Sequence, residues 1–233
     1  MSGDARSSLM DEFLRSTKFI DFNNPIVGGL AKKLIEDVDP SNSTEQARRL
    51  FYFVRDKIPY NILLRIPTRR DLRASETLKR GNGFCISKAT LLVALARAVG
   101  IPARLHFADI INRLVSESVR KLMGTNLFVY HGYSEVFLNG EWFKVTPAFD
   151  LGLSLDKGYI PVEFDGHSDA VFQKTDSLGN PQFEYVLDRG TYGDVPFTEI
   201  VNAWFETYRD AAWAGAKDKQ KRKVSFVGNQ SNN

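Results

Sequence analysis

The chain has 233 residues, 43% of them hydrophobic and 25% charged, the proportions of a globular protein with enough material for a sizeable core. Its formal net charge of +3 is carried by a basic run, Lys217, Lys219, Lys221, Arg222 and Lys223 with Asp218, so the rest is near neutral and no nucleic-acid partner is expected. One cysteine excludes an internal disulfide and a cysteine-rich zinc site, and fits a reducing, cytoplasmic compartment.

His106, His131 and His167 are too widely spread for a metal motif, and no cofactor signature is present. The apolar stretch 91–101 is interrupted by Arg97 and too short to span a bilayer, so no membrane partner is expected. The N-terminus lacks the apolar core of a signal peptide.

Residues 8–17 and 25–36 read as amphipathic helices, through Leu9 and Phe13, then Ile26, Leu30 and Leu34. Ser43 with Gln46 reads as a capping box for a stronger helix that carries Ala47, Leu50, Phe51, Val54 and Ile58 on one face and stops at Pro59. Residues 61–73 form a basic loop or short strand, and 75–78 a helical turn leading into Gly81-Asn82-Gly83.

A helix is predicted from Cys85 onward. Ala89, Leu92, Leu95, Ala96 and Val99 share one buried face, and Gly100 with Pro102 ends the helix. Cys85 then sits at a helix N-terminus, where unpaired N–H groups and the positive dipole end favour a thiolate and are placed to hold an oxyanion. A lone cysteine there also fits a small buried hydrophobe.

After Pro102, 104–108 alternates as a strand and 112–124 reads as a helix through Leu114, Val115, Ser118, Val119 and Leu122. Two alternating runs, 127–138 and 141–145, flank Asn139-Gly140, a two-residue hairpin turn. Residues 183–187 read as a strand and 198–213 as a final helix with Ile200, Trp204, Tyr208 and Ala211 inward. The whole is an α+β pattern. Its expected parts are N-terminal helices over 1–40, a core over 41–150, an extension over 151–216 packed on that core, and a disordered basic tail over 217–233.

The hairpin sets a register. Leu138 faces Glu141, so Tyr133 faces Thr146 and His131 faces Ala148. Thr146 is then a diagonal neighbour of His131, and so is Asp150 on the other side if the strand continues past Pro147. Diagonal pairs lie ~7–8 Å apart, within side-chain reach.

Two blocks carry a resemblance. The first is Thr77-Leu78, Gly81-Asn82-Gly83-Phe84-Cys85, Lys88-Ala89, Leu95-Ala96-Arg97 and Gly100-Ile101-Pro102-Ala103-Arg104. The second is His131-Gly132-Tyr133-Ser134-Glu135-Val136-Phe137-Leu138-Asn139-Gly140-Glu141-Trp142, followed by Val145-Thr146-Pro147. Together they resemble the transglutaminase-like superfamily, relatives of the papain-type thiol enzymes, over roughly residues 50–150.

The resemblance implies a papain-like α+β core, with a nucleophile helix packed on an antiparallel sheet. It also implies a Cys–His–Asp triad in that chain order, with Cys85 as nucleophile and His131 as base. The implied chemistry is hydrolysis or acyl transfer at an amide of a peptide or peptide-like substrate.

Two positions depart from the family pattern. Tyr133 stands where many members have Trp, and Thr146 stands at the family's aspartate. Asp150 is the favoured third member and Thr146 the alternative, since papain-type relatives work with a neutral asparagine. The departure keeps a rival in view, a catalytically silent member that binds a peptide or protein.

Tyr60 and Tyr133 are the candidate substrate-contacting aromatics, with core packing the alternative for Tyr60. His106 reads as a satisfied core histidine. His167 reads as a solvated loop residue and is the second candidate base. Glu135 and Lys144 read as an exposed cross-strand pair. Phe164, Phe172, Phe183, Tyr185 and Tyr192 are the aromatics of the extension expected to wall a cleft, and the oligomeric state is not legible.

Overall fold

The computed structural model describes residues 10–209 and 211. Within the expected first helix, only 10–12 are helical among the described residues. Asn24 caps helix α1 (Pro25–Leu34) by accepting from the Ile26 N–H, with proline opening the first turn. Helix α2 (Ser43–Lys57) is capped by Asn42, which accepts from the Glu45 N–H at 3.0 Å. The expected Ser43–Gln46 box does not form. The cap lies one residue earlier, and the Gln46 amide turns back to the carbonyls of Asp39 and Pro40. Helix α3 (Ala74–Arg80) ends at Gly81, whose φ of 70° is the left-handed cap that glycine adopts without strain.

Helix α4 (Cys85–Ala98) is the centre of the molecule. Every residue from Ile86 to Arg97 is buried, not one face alone. Helices α1, α2 and α3 and the sheet all pack against it, so its apolar circumference is enclosed. Its two long cations are satisfied by carbonyls. Lys88 Nζ donates to Arg55 O at 3.0 Å, and Arg97 donates to Ala103 O, Arg15 O and Gly193 O, tying the end of α4 to three segments.

The sheet consists of β1 (Ala103–Asn112), β2 (Leu127–Leu138), β3 (Glu141–Val145) and β4 (Phe183–Tyr192), in the order β3-β2-β1-β4 with all neighbours antiparallel. The fold is α+β, as the pattern of elements predicts. The hairpin has positive φ at both turn residues, 52° at Asn139 and 94° at Gly140, and its register runs from Leu138↔Glu141 to Ser134↔Val145 as expected.

The ladder stops there. The Thr146 N–H donates to Ala170 O at 2.8 Å, and the Ala170 N–H to Lys144 O at 2.7 Å, so residues around 170 take over the outer edge. Pro147 follows, and the chain turns into α6 (Leu151–Lys157), which the sequence pattern did not reveal.

The helix expected over 112–124 is shorter. Strand β1 continues through Asn112 because both its edges are paired, and Ser116 caps α5 (Glu117–Met123). Helix α7 (Phe197–Thr207) ends before the expected 213. The basic tail, 217–233, lies outside the described residues. Among the described residues no helix is long and apolar enough to cross a membrane.

Candidate active site

Three pieces of backbone converge on Cys85, the first residue of α4. The Gly83 N–H donates to Pro59 O at 3.1 Å and the Asn61 N–H to Gly83 O at 2.8 Å, a parallel bridge that carries Tyr60 alongside the thiol. Strand β2 crosses the N-terminal turn of α4 at Gly132. A β-carbon on Gly132 would lie 3.0 Å from Ile86 Cα and 3.1 Å from Phe107 Cε1, so glycine lets the strand settle on the helix where a side chain would push its neighbours back by a few tenths of an ångström. His131 precedes it and is 4% exposed.

A bulge aims that histidine. The β1–β2 register jumps from Ala108↔His131 to Ile110↔Phe128, and Tyr130 between them has φ of 54°. Side chains take the place of the missing ladder partners. Asp109 accepts from the Tyr130 N–H at 2.9 Å, and Arg189 in turn forks onto Asp109 at 3.0 and 2.7 Å. From α7 and the residue after it, Tyr208 accepts from the Val129 N–H at 2.9 Å and Trp204 Nε1 donates to Val129 O at 3.1 Å.

Burial decides the electrostatics. Cys85 is half-buried and opens onto a cavity. Apolar surroundings push its thiol up to about 11, against the opposing pull of the Gly132, Ile86 and Cys85 N–H groups that face the sulfur. Desolvation therefore works against the thiolate that the helix end favours. Burial likewise pushes His131 down to about 3. Both shifts act in favour of the uncharged forms, a thiol and a neutral imidazole.

Cys85 and His131 line the same cavity of about 270 Å³ and also a slot of about 30 Å³ beside it. Around these two residues, α4 and the crossing β2 reproduce the arrangement that the two sequence blocks imply. The profile of the Transglutaminase-like superfamily matches residues 30–147. The chain belongs to that superfamily.

A crystal structure from Cytophaga hutchinsonii, described as a "putative cysteine protease", matches with a TM-score of 0.51 at 17% identity over 86% of this chain and 50% of that one. A second, described as a "putative protease" from Parabacteroides distasonis, has a TM-score of 0.37 at 13% identity over 59% of this chain and 25% of that one. The chain thus spans half the length of the first and a quarter of the second. A comparison with curated proteins finds no match.

Thr146, where the resemblance implies an aspartate, carries no charge. His131 Nε2, Thr146 Oγ1 and the Tyr185 hydroxyl are all buried, and none has a hydrogen-bond partner of good geometry. Tyr185 lies edge-on to His131 with ring centroids 6.4 Å apart, and burial raises its hydroxyl to about 12 although Phe172 and Thr146 pull the other way.

Asp150 is turned elsewhere. Its two oxygens accept from the N–H groups of Tyr60 and Leu153, each at 2.9 Å, so the carboxylate caps α6 and makes no hydrogen bond to His131. Burial alone would raise its carboxyl, but those N–H groups and nearby Lys88 hold it below the usual range.

Of the two candidate substrate-contacting tyrosines, Tyr60 lines the cavity and Tyr133 does not. Tyr133 is stacked between His106 at 4.6 Å and His131 at 6.1 Å, behind the site. His106 bonds Glu135 at 2.6 Å and Asp188 at 2.8 Å. Glu135 therefore is not part of an exposed pair with Lys144, although the two do face each other. It is buried, and burial's upward push on its carboxyl is outweighed by hydrogen bonds from His106 and Arg104. His167 is exposed in a loop organised by Asp165 and lines no part of the cavity.

Sequence reasoning missed the Gly132 N–H facing the sulfur and the Tyr185 hydroxyl beside Thr146. The first was legible as a glycine in an otherwise bulky strand. The second depends on β4 pairing with β1, for which no local signal exists.

Proposed function

We propose that the chain is a thiol-dependent acyl-chemistry enzyme acting on an amide of a peptide or peptide-like substrate, with Cys85 as nucleophile and His131 as base. The observation that carries this reading is the cavity at the N-terminus of α4, lined by both the cysteine and the histidine that follows the strand bulge. With Nε2 buried, Nδ1 is the imidazole nitrogen assigned to the thiol.

The thiol proton passes to Nδ1 as sulfur bonds the carbonyl carbon, and the carbonyl electron pair moves to oxygen. N–H groups at the helix start hold that oxyanion, an effect of ~3–4 kcal/mol per donor in comparable sites. The imidazolium returns the proton to the amine as the C–N bond breaks. Water or a second amine then attacks the thioester, with the histidine again as base. Thr146 is the group assigned to orient Nε2, as a neutral acceptor.

The reading is tested by amide turnover and by alkylation of Cys85 with iodoacetamide across pH, in wild type and in His131→Ala. A base acting on the thiol makes wild type faster near neutral pH by roughly tenfold or more.

A second reading, a catalytically silent binding module, is favoured by burial that disfavours charge on both groups and by the engagement of the Asp150 carboxylate with Tyr60 and Leu153 rather than His131. Equal alkylation rates in both proteins, rising only at strongly alkaline pH, together with no turnover, select it.

A further inference from the structure

We infer that the cavity beside Cys85 is a specificity pocket for an uncharged aromatic or branched aliphatic group close to the reacting carbonyl. This rests on the assignment of Cys85 as nucleophile, and the pocket's preference is measurable without it. The cavity holds about 270 Å³. An apolar cavity of about 150 Å³ already takes up benzene, so this one has room for a ring and its linker.

The inner wall is a stack of rings. Phe172 and Phe183 stack at 4.2 Å, and Phe149 lies 4.9 Å from Phe172 and 4.8 Å, edge-on, from Tyr60. Ile110 and Phe128 complete its apolar surface. Such walls favour another ring, placed offset or edge-on.

Apart from the Tyr60 hydroxyl, the polar side chains of the cavity wall outside the Cys85–His131 pair already have partners. Asn112 Nδ2 donates to the Tyr159 hydroxyl at 3.1 Å, while Asn112 Oδ1 accepts from the Leu114 N–H at 2.9 Å. The Ser116 hydroxyl contacts that of Ser118 at 3.1 Å, and the Asn61 amide donates to Asn82. Lys157 is paired with Asp156. A charged group entering here would lose its hydration against ring and aliphatic walls, with Lys157 already paired, whereas an apolar one gains by leaving water. Cys85, His131 and the Tyr60 hydroxyl are left to meet the polar end of the ligand.

Direct binding separates this inference from the proposed function. N-benzylacetamide, N-acetylglycine and N-(2-aminoethyl)acetamide are titrated by NMR into wild type, Cys85→Ser, Val115→Trp and Leu153→Trp. Val115 and Leu153 are half-buried on the outer wall, so either tryptophan fills the space without entering the core. The expected result is saturable binding of N-benzylacetamide to wild type and Cys85→Ser, weakened by about tenfold or more in both tryptophan variants, with no saturation by the two charged amides. Charged amides binding as tightly as the benzyl compound, no saturable binding of the benzyl compound, or full affinity in both folded tryptophan variants would overturn the inference. If N-benzylacetamide binds as expected while Cys85 shows no assisted reactivity, the pocket stands and the enzymatic reading falls.

Discussion

Gly132 rests its bare Cα against the first turn of α4, so close that a β-carbon there would lie 3.0 Å from the Cα of Ile86. The contact is backbone on backbone, and no rotamer change relieves it. Gly132→Ala is expected to lift β2 off the helix, lowering stability by about 1–3 kcal/mol and parting His131 from Cys85. Thermal melting and iodoacetamide alkylation measured together check this. An unchanged melting temperature with unchanged alkylation would show that the strand has slack at this crossing.

Thr146 and His131 offer a test of the neutral third position. Thr146→Val keeps the volume and removes a buried hydroxyl whose one polar neighbour of weak geometry is the Tyr185 hydroxyl, so stability should change by no more than about 1 kcal/mol. The neutral-pH alkylation rate should fall if that hydroxyl orients Nε2. Thr146→Asp places a carboxylate beside the imidazole, and an opposite charge raises the histidine from its depressed value. Alkylation at mildly acidic pH should then increase. No change in rate with either variant would remove Thr146 from the site.

Asp150 is expected to act on shape rather than on His131. Asp150→Asn keeps one acceptor for the cap but cannot accept from both Tyr60 and Leu153, so a loss of about 1 kcal/mol is expected, with the His131-dependent part of the alkylation profile retained. The sign with pH follows from the depressed carboxyl. Its contribution is present above the unfolded-state value and is lost as pH falls through the folded one. Wild type should therefore lose its advantage over Asp150→Asn in acid, as chemical denaturation at several pH values would report. Loss of the His131-dependent alkylation in Asp150→Asn would restore Asp150 as the third member.

Lys88 is fully buried one turn into α4, and burial pushes its amine down to about 7 despite nearby Asp150 and Asp56. Between that value and the ordinary one, the unfolded chain binds a proton that the folded chain does not, so stability rises with pH through this window. At and below neutral pH the cost of the buried cation is complete. Lys88→Met is therefore expected to stabilise by about 1–3 kcal/mol near pH 6, with the gain shrinking toward pH 10. A lower melting temperature at every pH would mean that the hydrogen bond to Arg55 O outweighs the desolvation cost.

Local chemistry was legible in the residues themselves. Asn139-Gly140 determined both the turn and the hairpin register, because two adjacent residues with positive φ admit few backbone solutions. The start of a helix at Cys85 and its end near Gly100 also follow from neighbours within a few positions. The pairing of the cysteine block with the histidine block was readable as a resemblance.

What surrounds those residues was decided by distant chain. The helix around Lys88 is buried on all sides because α1, α2 and α3 cover what the sheet does not. Asp150 turns away from His131 because Ala170 takes the edge after Val145 and the Tyr60 N–H claims the carboxylate. The aim of His131 depends on side chains of Asp109, Trp204 and Tyr208 standing in for strand partners. Above all, burial of the Cys85–His131 pair works against the charges that local position favours. A helix terminus acts over one turn and favours a thiolate, but the desolvation that opposes it comes from every apolar group packed around the sulfur, and that sum exists only in the folded chain.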